Sequence, residues 1–177
     1  MKLFRVLLVV TCSWLISCTE IYFTEPQPKG VKVIPNGLEE LAGEYINVED
    51  TDTLKVSKEG VLWTEDEDEA ETLGKEILVK KYKGRYFVNF LNSEKNLWQL
   101  FVVEKKDPDQ IYVTNLTSVD EDNIQEFNDK KYCTLIEKEG SDDKYLVLSP
   151  SKRQLLKLLG NPVFDQNKIN LNKLNSD

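Results

Sequence analysis

Residues 76–91, EILVKKYKGRYFVNFL, read as two strands and the turn between them. Ile77, Leu78 and Val79 lead into Lys80, Lys81 and Tyr82; Lys83-Gly84 then interrupts before Arg85 opens a second apolar run. A two-residue connection matches the twist of its strands only as a primed turn, and glycine in second place suits type I′, whose central residues both take positive φ. Within 85–91, Tyr86, Val88 and Phe90 point one way, while Phe87 and Leu91 flank Asn89 on the other. In 97–104, Trp98, Leu100 and Val102 oppose Leu97, Gln99, Phe101 and Val103. Strands apolar on both sides belong inside a sheet with both faces covered.

The pattern spreads outward from this hairpin. Runs 53–56 and 61–64 flank Ser57-Lys58-Glu59-Gly60, runs 97–104 and 110–116 flank Lys105-Lys106-Asp107-Pro108-Asp109, and runs 132–137 and 145–148 flank a loop with Gly140. With 44–48 in front, the expected fold is mainly β: an antiparallel meander of about nine strands, barrel-like or strongly curved, with one C-terminal helix. For that helix Ser149 is the expected cap, Pro150 the first position and Gly160-Asn161-Pro162 the stop. Leu155, Leu156, Leu158 and Leu159 make its apolar face and point to the helix as the cover for one side of the sheet. A short helix is expected in 120–129 around Ile124 and Phe127, and one helical turn in 36–42 behind Asn36; the Asn- and Lys-rich tail after Asp165 is expected to fray.

The N-terminus has a different character. Lys2 and Arg5 precede a mostly apolar run over 6–16, shorter than the roughly 20 residues a membrane-crossing helix needs. It reads as an export signal. The run ends in Leu15-Ile16-Ser17-Cys18, which resembles the lipobox of bacterial lipoprotein signal peptides. That resemblance implies removal of residues 1–17, acylation of Cys18 and stable anchorage through two or three acyl chains, where one alone binds only marginally. Residues 18–35 then read as a lipidated tether with alternating prolines, able to reach roughly 50 Å if fully extended. Its aromatics are expected either at the membrane interface or folded back on the domain. Residues 36–177 form a single β-rich domain.

Tyr22-Phe23-Thr24-Glu25-Pro26-Gln27-Pro28, soon followed by Leu41, Gly43 and Tyr45, resembles a segment of Bacteroidota envelope lipoproteins that carry no assigned activity. The resemblance implies an envelope location. Thr19 in the second mature position, where some bacteria use aspartate for inner-membrane retention, favours the outer membrane.

Composition narrows the chemistry. Losing Lys2 and Arg5 from 23 basic residues leaves 21 against 31 acidic ones, a net charge of −10. Such a surface repels phosphate backbones, so nucleic acid is not expected as a partner. Histidine is absent, which excludes His-based triads and the common His-ligated zinc sites. Cys12 leaves with the signal and Cys18 takes lipid; Cys133 is then alone, without a disulfide partner, and reads as a structural thiol. The run Glu65, Asp66, Glu67, Asp68, Glu69, Glu71 offers oxygen ligands suited to calcium, but has no sharp-turn glycine before Gly74, so a solvated loop is the favoured reading. Asp50, Asp52, Asp142 and Asp143 are turn formers first. No catalytic residue, cofactor or metal is assigned.

The favoured function is a membrane-anchored, non-catalytic binding or assembly module of the cell envelope, meeting a protein partner through an exposed patch that involves Tyr82, Tyr86 or Tyr112. A second reading is a carrier of an apolar molecule in a lipocalin-like calyx, which a core filled by Trp63, Phe87, Trp98 and Phe101 would oppose. A third is a carboxylate-based enzyme.

Overall fold

The Lys83-Gly84 connection takes the turn expected of it, with φ of 50° and 78° at its two residues. In the computed structural model the described residues are 18–48, 52–58, 60–64, 77–120, 123–128, 130–137, 144–164 and 167–174. The strands are β1 (Cys18–Phe23), β2 (Gly43–Asn47), β3 (Thr53–Val56), β4 (Val61–Thr64), β5 (Ile77–Tyr82), β6 (Arg85–Asn92), β7 (Leu97–Asp107), β8 (Gln110–Asn115), β9 (Ser118–Asp120), β10 (Cys133–Glu137), β11 (Lys144–Leu148) and β12 (Lys168–Lys173). The helices are α1 (Gln125–Asn128) and α2 (Lys152–Leu158).

All twelve strands join one sheet. An antiparallel run β5-β6-β7-β8-β12-β2-β3-β4 forms its longer part. β4 and β5 end that run, and no ladder joins them among the described residues, so the sheet is open rather than a closed barrel. A second part branches from β7. Phe23 of β1 pairs with Trp98, the first half of β1 pairs with β9, and the far edge of β1 pairs in parallel with β11, beyond which lies β10.

The nine expected strands are all present, but the purely antiparallel meander is not, because β1 and β11 run parallel. The three unexpected strands, β1, β9 and β12, each pair with partners remote in sequence. β12 lies where a fraying tail was expected. Leu171 is fully buried, and Lys168–Lys173 is held between β8 and β2.

Both faces of the central strands are covered, as their side chains require. Phe87, Leu100 and Val102 enter a core with Ile21, Phe23, Leu146, Leu148, Phe127, Phe164 and the α2 residues Leu155 and Leu158. Tyr86, Val88 and Val103 enter a second core with Leu41, Tyr45, Leu54, Ile111 and Leu171. The cap of α2 is Ser151 rather than Ser149: its hydroxyl accepts from the Gln154 amide while the Gln154 side chain returns to the Ser151 amide. This reciprocal pair satisfies two donors that a bare helix start leaves open. The turn at 36–42 is a 3-10 turn, Glu39–Leu41; Asn36, at φ 56°, offers it a backbone carbonyl.

The segment read as a tether is part of the domain. Ile21, Tyr22 and Phe23 are at most 1% exposed, and burying such side chains contributes about 1.5–3 kcal/mol each. Extended geometry was legible there; the parallel partner 125 residues on was not. Beyond β1 the chain crosses the sheet and is clasped by two buried polar side chains. Asn89, fully buried, accepts from the Gln27 amide at 2.6 Å and donates to the Gln27 carbonyl at 2.9 Å. Lys80 donates to the carbonyls of Pro26 and Pro28, the latter at 3.1 Å. Desolvation lowers the Lys80 pKa, opposed in part by Glu25. Val33 then bridges to Lys80, and Ile34 donates to the Val79 carbonyl, covering the outer edge of β5, where bare edge groups would invite foreign strands.

Replacing Asn89 by leucine keeps the branched heavy-atom outline but strands the amide and carbonyl of Gln27. At about 1–3 kcal/mol per stranded group, Asn89→Leu is expected to lower unfolding free energy by about 3 kcal/mol in urea titration. A loss below about 1 kcal/mol would contradict the clasp.

Candidate functional site

The surroundings of β1 are built from side chains that sequence spacing does not connect. Glu20 and Tyr22 lie on one face of the strand, and the Tyr22 hydroxyl donates to the Glu20 carboxylate at 2.9 Å. Lys95, from the β6–β7 turn, reaches both groups at 3.2 Å. Its ammonium lies 5.0 Å from the Tyr22 ring centre and 5.5 Å from that of Tyr145, within range for attraction to a π-face. The two rings meet edge to face at 5.6 Å. Burial raises the Tyr22 pKa, and the hydrogen bond from Lys95 to Tyr22 chiefly raises that of Lys95. The cluster pins the β6–β7 turn to β1 and β11, starting two residues after Cys18, the residue expected to carry lipid.

Of the tyrosines expected to take part in an exposed patch, Tyr82, Tyr86 or Tyr112, Tyr86 is buried and the other two are half-buried. Tyr86 is 5% exposed and belongs to the second core. Its hydroxyl donates to Glu40 at 2.7 Å and accepts from Lys81 at 2.6 Å, and Lys81 also pairs with Glu40 at 2.7 Å. Lys81, then Tyr86, lower the Glu40 pKa by hydrogen bonding; Glu40, then Tyr86, raise that of Lys81. Tyr82 packs against the other core. Tyr112 takes a hydrogen bond from Lys106 at 2.7 Å, which raises the Lys106 pKa.

Each ring is instead faced by two lysines: Lys81 and Lys105 at Tyr86, Lys83 and Lys152 at Tyr82, Lys106 and Lys168 at Tyr112. Among the described residues the exposed large hydrophobics are Val33, Val48 and Leu174.

The Leu41, Gly43, Tyr45 motif has a structural account. The Tyr45 hydroxyl donates to the Leu41 carbonyl at 2.8 Å, and a Cβ on Gly43 would stand 3.2 Å from the Tyr45 ring. Glycine therefore lets the ring fold back over its own strand. Cys133 is half-buried, a free thiol packed against the first core, and burial pushes its pKa from 9.0 up to about 11. A thiol so held is a poor nucleophile at neutral pH.

No three His, Cys, Asp or Glu side chains converge as a metal site among the described residues. The acidic run Glu65 to Glu71, with Asp50, Asp142 and Asp143, lies outside those residues, as does the Trp63 side chain. Asp52 serves a turn, its carbonyl accepting from the Asn47 amide at 3.0 Å. No helix among the described residues is long and apolar enough to cross a membrane. Sequence reasoning missed Lys95, Glu40 and Asn89 because each acts on a partner tens of residues away. The Ser151-x-x-Gln154 box was the one local signal available.

Tyr45→Phe removes one buried hydrogen bond and is expected to cost about 1 kcal/mol in urea unfolding. Peptide-resolved alkylation of Cys133 should follow a midpoint near pH 11 in the folded chain and shift to about 9 on unfolding. Between those values the unfolded chain binds fewer protons, so this group's contribution to stability declines as pH rises. A folded-state midpoint at 9 would mean the thiol is not desolvated.

Compared with family models, curated proteins and solved structures, the chain matches none at a significant level.

Proposed function

We propose that the protein is a lipid-anchored module of the cell envelope, held at the membrane through Cys18 and acting by binding rather than catalysis. The observation that carries this reading is a juxtaposition: Leu15-Ile16-Ser17-Cys18 is followed at once by residues built into the sheet, with Thr19 paired to Val119 and Glu20 to Tyr145. A signal cut at that point would release a chain whose second mature residue, Thr19, is already buried at 2% exposure. The domain would then sit close against the bilayer, with no spacer. Outer-membrane location follows from Thr19 by the same reading as before.

The filled interior supports binding at the surface over carriage inside. Phe87 and Leu100 occupy one side of the central strands, and Tyr45, Tyr86 and Leu171 the other, all at 5% exposure or less. Trp98 packs against the first core and Phe101 against the second. Absent histidine and a desolvated Cys133 support the non-catalytic reading.

The test is expression of the full-length chain in a lipoprotein-processing bacterium fed an alkyne-tagged fatty acid. The wild type is expected to gain acyl mass on Cys18, lose residues 1–17 and fractionate with membranes. Cys18→Ser should show none of these. Equal labelling of the variant, or an unacylated wild type, would remove the anchor.

A further inference from the structure

The chain as a whole is acidic, with 31 acidic against 23 basic residues, but its charge is unevenly spread. Beside the β5–β6 turn lies an open surface depression of about 450 Å³, lined by Lys83, Gly84, Arg85, Glu104, Lys105 and Leu156. That volume falls in the roughly 300–1,000 Å³ range of small-molecule sites. Three cations share it with one carboxylate, and that carboxylate is engaged: Glu104 meets the Nε edge of Arg85 at 3.2 Å.

Lys105 donates to the Glu40 backbone carbonyl and lies within electrostatic reach of the Glu40 carboxylate. Lys83 lies 5.8 Å from the Tyr82 ring centre, and Lys152 joins that ring from α2 at 5.9 Å. Neither pairs with a carboxylate among the described residues. Farther along β7, Asp107 is turned back onto the Asp109 amide at 3.0 Å. Gly84, with no side chain and φ of 78°, keeps the floor of the turn open.

We propose that this depression binds a phosphoryl-bearing anion, a reading that rests on the binding-module assignment above and names its ligand class. Two separate ammonium groups, those of Lys83 and Lys105, at one concavity suit a compact ligand with multiple charged oxygens. Lysine ammoniums act as point charges from different directions, and the Arg85 guanidinium adds a planar donor set. A single carboxylate satisfies fewer of these donors at once. The phosphoryl group belongs either to a soluble phosphate ester or to a lipid headgroup, and the two sources separate experimentally.

The experiment is lysine footprinting of the full-length chain in non-ionic detergent, using an acylating reagent and peptide mass spectrometry. Inorganic pyrophosphate, titrated at constant ionic strength, should slow acylation of Lys83 and Lys105 at least threefold and saturably. Lys55, which pairs with Glu44 on β2, should keep its rate. Lys83→Glu combined with Lys152→Glu removes two groups that make no hydrogen bond or ion pair among the described residues. This variant should keep the wild-type circular dichroism and bind pyrophosphate more than tenfold more weakly by calorimetry.

Protection that appears only after the chain is reconstituted, with the detergent removed, into vesicles of phosphatidylcholine and phosphatidylglycerol, and not with pyrophosphate or in pure phosphatidylcholine vesicles, assigns the phosphoryl group to a headgroup and supports the site. Protection that is unsaturable, equal at Lys55, or unchanged in the double variant overturns it. A chain acylated on Cys18 but without this protection would lose the ligand class and keep the anchored module.

Discussion

An eleven-residue strand presents two rows of backbone donors and acceptors, and β7 has to satisfy both. β6 takes one edge from Leu97 to Glu104. The other edge is divided: β8 pairs with it only as far back as Phe101, and β1 takes over at Trp98. Between them the Leu116 amide donates to the Leu100 carbonyl at 3.0 Å, and the Ile21 amide to the Thr117 carbonyl at 2.6 Å. The chain leaving β8 thus carries the ladder from β7 across to β1. Without β1 the exit of β8, the whole of β9 and the inner edge of β11 would lack partners, and buried unpaired backbone groups are rarely tolerated. One face of β1 then closes the core that α2 covers.

Local signals therefore revealed the hairpins and concealed their assembly. Lys83-Gly84 was readable because a two-residue turn has few solutions. The alternation in 85–91 and 97–104 was readable because both faces of those strands are buried in separate cores. β12, with Lys168, Asn170, Asn172 and Lys173 around Ile169 and Leu171, has the composition of an exposed tail and becomes a strand only because β8 and β2 leave a gap of its width. Asn89 looked like a polar interruption in an apolar run. It is the partner that Gln27 needs when its backbone is buried. The helix start was legible two residues from where it was placed, since Ser151 and Gln154 have capping-box spacing.

The polar surface follows from the same economy. Aromatic rings that reach the boundary of a core have lysine ammonium groups beside them, within range of attraction to the π-face. Tyr82, Tyr86 and Tyr112 are all treated this way. The result is a concentration of cations where β5, β6, β7 and α2 converge. The convergence of Lys83, Arg85 and Lys105 depends on tertiary placement and was not legible in the sequence.

Whether residues 18–28 are a structural strand or a free leash decides much of this account, and amide hydrogen exchange on the full-length chain separates the two. Ile21, Tyr22 and Phe23 should exchange as slowly as Phe87 and Leu100, opening only with global unfolding. Exchange of those three amides at the rate of an unstructured peptide, while Phe87 and Leu100 stay protected, would contradict the integral role of β1.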